Sequence, residues 1–213
     1  MLFLLMFLPF IGALCYGLLV SHGNCNLGAA LAALAPAAAL VILMLQAEAV
    51  MSGQVVEASV PWAAQLGLNL TVRLDGLAWL FALLVLGIGL LIILYARYYL
   101  SNRDNMEQFY TLLLLFMGAM LGVVISGNLL LMLVFTAIIS LILGMGLPTT
   151  ANYIVVSTLM APVIVTLGAQ NGLLVPLIAV HLFVFYFGIL ADDTPPVGLA
   201  AYAAAAISGA DPI

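Results

Sequence analysis

Two stretches of this chain combine the residue types that hold a cation where a helix breaks. One is Gly144-Met145-Gly146-Leu147-Pro148-Thr149-Thr150-Ala151-Asn152, and the other is Ala191-Asp192-Asp193-Thr194-Pro195-Pro196-Val197-Gly198. Gly144 and Gly146 permit local unwinding, and Pro148 removes a backbone donor and stops a helix. Thr149 and Thr150 supply hydroxyls, and Asp193, Thr194 and Pro195 supply a carboxylate, a hydroxyl and a free carbonyl at a second break. Helices interrupted in this way expose carbonyls and N–H groups that suit a cation and an anionic substrate. A plain helix–loop–helix corner uses the same residues, with Thr149 capping one helix and Asp193 or Thr194 another. The residues alone leave both readings open.

The remaining titratable groups offer less. His181 lies in an apolar stretch with Phe183, Phe185, Tyr186 and Phe187. It is expected to be satisfied by a hydroxyl or a backbone group. A proton relay needs a second titratable neighbour, and Asp192 is about 16 Å further along a helix that rises 1.5 Å per residue. Arg73 and Asp75 read as a local ion pair at a helix start, worth ~0–1 kcal/mol if exposed. Cys15 and Cys25 are too few and too scattered for a metal site or a disulfide framework. No enzyme chemistry and no organic cofactor is expected, and no bound metal beyond sodium.

The elements that must position these residues are membrane helices. Charged residues make up 5% of the 213, apolar residues 67%, and the mean hydropathy is +1.36. A soluble domain carries roughly 25% charged residues, so this chain cannot cover a water-facing surface. Its pI of about 4.4 argues against nucleic acid as a partner. Three arginines and no lysine are too few for a polybasic lipid site, so the partner expected first is the bilayer itself. The fold class is all-α, polytopic, with about seven membrane segments, one of them a re-entrant hairpin.

A spanning helix needs about 20 mostly apolar residues. Such runs are Met1–Val20, Leu27–Leu45, Gly76–Tyr95, Phe109–Ile125 and Leu129–Leu143. Met1–Val20 has no basic start and no clear cleavage site, and is read as a retained helix. Leu66–Leu74 alternates apolar and polar residues, which predicts a short strand or hairpin arm. Beyond the first break come Tyr153–Leu167, short for a full span, a turn at Gly168–Gly172, and Leu173–Leu190. Arg97 and Arg103 place the loop Ala96–Gln108 in the cytoplasm, and hence Gln46–Asp75 and the N-terminus outside; Arg73 alone opposes this.

Two family resemblances divide the chain. Leu68-Asn69-Leu70-Thr71-Val72-Arg73-Leu74-Asp75-Gly76-Leu77-Ala78, then Tyr95-Ala96-Arg97-Tyr98-Tyr99-Leu100, Phe109-Tyr110 and Ser126-Gly127-Asn128-Leu129-Leu130 resemble the start of the large antiporter-like subunit of Mrp-type sodium/proton antiporters. That subunit is related to the proton-pumping subunits of respiratory complex I. This resemblance covers residues 1–135. It implies a buried glutamate on the fifth apolar helix, in an aromatic–Glu pair, and lysines on later helices, because a carboxylate and a lysine poise each other's pKa for proton transfer. Here Phe135 is followed by Thr136, and lysine is absent.

Residues 136–213 resemble a different family. Gly144–Tyr153, Met160-Ala161-Pro162, Val175-Pro176 and Ala191–Ala200 look like the large permease subunit of TRAP transporters, of the fused-permease type. The resemblance implies sodium-coupled import of organic acids, with Gly144, Gly146, Pro148, Thr149, Thr150, Asp193, Thr194 and Pro195 flanking one sodium site. Only part of that family's two inverted halves is represented.

The expectation is a chimera joined near Phe135/Thr136, of the ion-coupled secondary transport class, in a bacterial inner membrane, and not competent to transport alone. Its protein partners would be other Mrp or TRAP subunits. The rival expectations are a non-transporting membrane fusion that binds or interferes with transporter subunits, and a non-functional recombinant.

Overall fold

The computed structural model describes residues 1–19, 25–63, 68–100, 105–144, 149–170, 172–193, 205 and 207–209. The chain is a polytopic helical membrane protein. Among the described residues four helices are long and apolar enough to cross a bilayer, and three shorter ones are apolar. It forms two compact units, Met1–Leu131 and Met132–Ile213.

The first unit contains α1 (Leu2–Leu19), α2 (Cys25–Leu45), the short α3 (Ala47–Met51), strands β1 (Val56–Ala63) and β2 (Leu68–Leu74), α4 (Gly76–Tyr99) and α5 (Met106–Val124). Helices α1, α2, α4 and α5 follow the apolar runs because a run of about 20 apolar residues has only one way to satisfy its backbone in lipid, by closing it into a helix. Pro9 and Pro36 sit inside α1 and α2. The expected hairpin arm is β2, paired antiparallel with β1 in a register that sets Glu57 opposite Arg73 and Ser59 opposite Thr71.

Small residues let these helices meet closely, as expected where lipid gives no hydrophobic drive to association. Gly12 of α1 faces Ala35 of α2, Gly118 of α5 faces the Phe10 ring, and Gly89 of α4 faces Met117. Tyr110, Leu114 and Leu121 of α5 are fully buried, and so are Leu5 and Ala13 of α1.

Polar contacts tie alternate helix ends together at one end of the unit. Trp79 Nε1 donates to the Leu43 carbonyl at 3.1 Å, joining the start of α4 to the end of α2. Asp75 caps α4, its carboxylate accepting from the Ala78 N–H at 2.9 Å. The segment after α5 then pairs with β2: Arg73 N–H donates to the Ile125 carbonyl at 2.8 Å, and Gly127 N–H to the Thr71 carbonyl at 2.7 Å. The Asn128 side chain donates to the Asn69 carbonyl and accepts from the Leu131 N–H at 2.7 Å. The chain leaves the hairpin through α4 and returns to it through α5, as two successive crossings require. Arg73 also pairs with Glu57 (3.8 Å) as well as with the expected Asp75 (3.6 Å). The guanidinium is half exposed, so the two contacts together contribute little.

In the second unit lie most of α6 (Leu129–Gly144), α7 (Thr149–Gln170) and α8 (Leu177–Asp193). Here α7 is longer than its apolar run suggested. It extends four residues before Tyr153 and three beyond Leu167, through threonine, alanine and asparagine at one end and small residues at the other. At 1.5 Å per residue its 22 residues reach about 33 Å, a full span. Pro162 sits inside it without ending it. Gly172, in the left-handed region at φ 75°, turns the chain back so that α8 packs along α7.

Candidate ion site

α6 carries two polar residues one turn apart on a buried face. The Thr136 hydroxyl donates to the Met132 carbonyl at 2.7 Å, and the Ser140 hydroxyl to the Thr136 carbonyl at 2.9 Å. Both side chains are fully buried. Bonding back to the preceding turn is how a hydroxyl is satisfied inside an apolar helix. Thr136 stands where the antiporter resemblance implies a glutamate, so this buried position holds no titratable group.

Asn152 is the next level of the site. It lies in the first turn of α7 and is fully buried. Its Nδ2 donates to the Ser140 carbonyl at 2.9 Å, which joins α7 to the last turns of α6. Its Oδ1 is buried with no hydrogen-bond partner. α8 passes on the same amide: a Cβ placed on Gly188 would lie 3.4 Å from Asn152 Nδ2. A Cβ there would be in ordinary contact with the amide, so α8 packs directly on Asn152. A buried acceptor left unpaired costs about 1–3 kcal/mol. An amide oxygen has two lone pairs and no proton, so what relieves it is a donor or a cation.

Three helices therefore meet at Asn152, through Ser140 of α6 and Gly188 of α8. Gly144 is the last residue of α6, Thr149 the first of α7, and Asp193 the last of α8. The side chain of Thr149 lies outside what is described. Thr150 is exposed, and at two residues from Asn152 it faces elsewhere. Gly146, Pro148, Thr194 and Pro195 lie outside the described residues. The sequence motif contained Asn152 without giving it a role. Its signal was an amide side chain beside a stretch of apolar helix, where a polar group must be paired.

His181 has the hydroxyl partner expected of it. Tyr153 Oη lies 2.8 Å from His181 Nδ1, one residue along α7 from Asn152. The Tyr153 ring also meets the Phe185 ring edge-on, at 5.7 Å between centroids. Nothing in the sequence selected Tyr153, because the pairing depends on how α8 returns along α7. Among the described residues no three His, Cys, Asp or Glu side chains gather as a metal would require.

Comparison with known proteins finds a match to each of two families, meeting at residues 110/111. Residues 61–110 match the family described as NADH-Ubiquinone oxidoreductase (complex I), chain 5 N-terminus, and residues 111–213 match the Tripartite ATP-independent periplasmic transporter, DctM component. A probable K(+)/H(+) antiporter subunit of Rhizobium meliloti is 52% identical over 97 residues, 44% of this chain and 10% of that protein. A Na(+)/H(+) antiporter subunit of Alkalihalophilus pseudofirmus is 54% identical over 91 residues, 42% of this chain and 11% of that protein. The chain thus spans about a tenth of the length of these curated relatives. Among solved structures, the Mrp complex from Dietzia sp. aligns over 81% of this chain and 20% of its own, with TM-score 0.55 and 28% identity. An archaeal membrane-bound sulfane sulfur reductase shares the fold at TM-score 0.57 and 19% identity, over 93% of this chain and 35% of its own. The protein is a multi-pass membrane protein that is similar to cation/proton antiporter subunits in its first part and carries a DctM-like segment from residue 111 onward.

Proposed function

We propose that this chain is a component of the ion-coupled secondary transport class, resident in a bacterial inner membrane, that moves no protons by itself. Its first part supplies an antiporter-type scaffold, and its DctM-like part a cation site between α6, α7 and α8. The two parts join near Phe135/Thr136. The observation that carries the absence of proton transport is Thr136, buried with its hydroxyl held by the Met132 carbonyl at a position where the antiporter resemblance implies a glutamate. A threonine cannot exchange a proton near neutral pH, and the 213 residues contain no lysine to poise one. What supports a cation is the unpaired Asn152 Oδ1 where three helices meet. By composition the cation is sodium or another monovalent ion, since carbonyl and hydroxyl oxygens without a carboxylate cluster suit a single positive charge. The protein partners are components of an Mrp-type or TRAP-type assembly.

The purified chain in proteoliposomes tests this reading. With a pH-gradient dye, adding sodium gives no proton movement above that of empty vesicles. Sodium-dependent proton movement by the chain alone would refute it. Flux driven by a sodium gradient, measured in the same vesicles with and without co-purified partner subunits, separates a working component from an inert one.

A further inference from the structure

Small residues recur on the buried face of α4, alternating with the large Leu86 and Ile93. Ala82, Gly89 and Ala96 are buried, each seven residues from the next, on the face that packs on α2 and α5. That spacing of small residues is a helix-packing seam. The other face is mostly bulky: Leu77, Leu84, Ile88 and Leu91 are exposed, Gly87 lies among them with open space before it, and the ridge ends in Tyr95, Tyr98 and Tyr99. From Leu77 to Tyr98 it runs about 32 Å at 1.5 Å per residue, close to the ~30 Å of a hydrocarbon core. A mostly bulky apolar ridge of that length suits acyl chains. The last turns then change chemistry. Tyr95 and Tyr99 stack at 5.2 Å between centroids, with 19° between planes. Arg97 lies over the Tyr98 ring, its guanidinium carbon 5.6 Å from the centroid, and Tyr98 is 78% exposed. Tyrosine and arginine side chains hold O–H and N–H donors at the depth where the acyl chains end in headgroups.

We infer that the C-terminal end of α4 is a binding site for the phosphodiester of one membrane phospholipid. Arg97 and the Tyr98 hydroxyl donate to the phosphate oxygens, an arrangement that a planar guanidinium fits. The Tyr95–Tyr99 stack lies at the glycerol level, and the ridge back to Leu77 lies along an acyl chain. One guanidinium serves one headgroup, so no basic cluster is required. Arg97 and Arg103 are balanced by Asp104 and Glu107 in the same stretch, so the site takes the phosphodiester whatever the net charge of the headgroup.

Two measurements on the full chain test it. In the first, the chain is equilibrated in mild detergent with phosphatidylglycerol or phosphatidylcholine and weighed by native mass spectrometry. Relative to the parent, R97Q/Y98L loses one retained phospholipid of either kind. Equal retention by parent and variant overturns the inference. In the second, Tyr98→Trp is made in a background with Trp62→Phe and Trp79→Phe and placed in phosphatidylcholine vesicles. Headgroup nitroxide quenches its fluorescence more than mid-chain nitroxide or aqueous iodide does. Stronger quenching by either of the latter two, or shielding from all three, overturns the inference even if R97Q/Y98L fails to fold.

Discussion

Asn152 donates one hydrogen bond to the Ser140 carbonyl, at 2.9 Å, and buries its own carbonyl oxygen without a partner. The amide is therefore half satisfied. If a monovalent cation relieves it, sodium stabilises the fold. A ligand at 100 times its dissociation constant adds about 2.7 kcal/mol. Thermal unfolding in detergent, in sodium against choline, should show a higher midpoint in sodium. Asn152→Leu should remove that difference, and so should Pro148→Ala combined with Gly146→Ala, which exchanges a helix breaker and a flexible residue for helix formers. If sodium leaves the midpoint of the parent unchanged, the three helices form a plain corner.

Tyr153→Phe keeps the ring against Phe185 and deletes only the hydroxyl that meets His181 Nδ1. A typical intramolecular hydrogen bond contributes about 0.5–1.5 kcal/mol. The variant should unfold at a lower temperature by that margin, and adding His181→Leu should cost less than the two single changes summed. A double-mutant cycle on unfolding free energies reads the coupling. Additivity within error would mean that the pair contributes nothing.

Much of this architecture was legible in the sequence, because lipid leaves the backbone so little choice. The apolar run Gly76–Tyr95 lies within α4, and Leu129–Leu143 coincides with α6 to within one residue. Alternation in Leu66–Leu74 foretold β2. The extent of α7 was not legible. Thr149, Thr150 and Asn152 read as too polar for a helix in lipid, but Asn152 is buried against protein, where Ser140 and Gly188 receive it. β1 was missed although Val56–Val60 alternates apolar and polar residues, because the pattern stops at Pro61 and the pairing is set only once β2 is placed. At the candidate site, the motifs located Gly144, Thr149 and Asp193 at helix ends. They could not single out Asn152 or Tyr153, whose roles arise from contacts between helices.

Gly127 and Gly89 are both tightly enclosed but should respond differently to alanine. A Cβ at Gly127 would lie 2.8 Å from Thr71 Cγ2 and 2.9 Å from the Thr71 carbonyl oxygen. That oxygen accepts the Gly127 N–H, so β2 and the post-α5 segment cannot separate without losing the bond. At Gly89 the obstacle is the flexible end of Met117, which can turn aside. Overpacking a well-filled site costs about 1–3 kcal/mol. Gly127→Ala should fall in that range and Gly89→Ala below it, as measured by chemical or thermal unfolding in detergent. The reverse order would mean that the pairing of Thr71 with Gly127 is not a fixed part of the first unit.

The hairpin, the start of α4 and the end of α5 share one side of the membrane, since β2 bonds directly to Ile125 and Gly127. Which side follows from charge. Arg97 lies in the last turn of α4 and Arg103 in the α4–α5 connection, whereas the hairpin carries only Arg73, which is engaged by Glu57 and Asp75. Positive residues are retained on the cytoplasmic side, so the α4–α5 connection should be cytoplasmic and the hairpin external. Single cysteines at Ser101 and at Gln54, in a background lacking Cys15 and Cys25, can be labelled in intact cells with a membrane-impermeant maleimide. Cysteine at position 54 should label from outside, and cysteine at position 101 only after the membrane is opened. Labelling of position 101 in intact cells would invert the assignment. It would also place Arg97 and its tyrosines at the outer leaflet instead of the inner one.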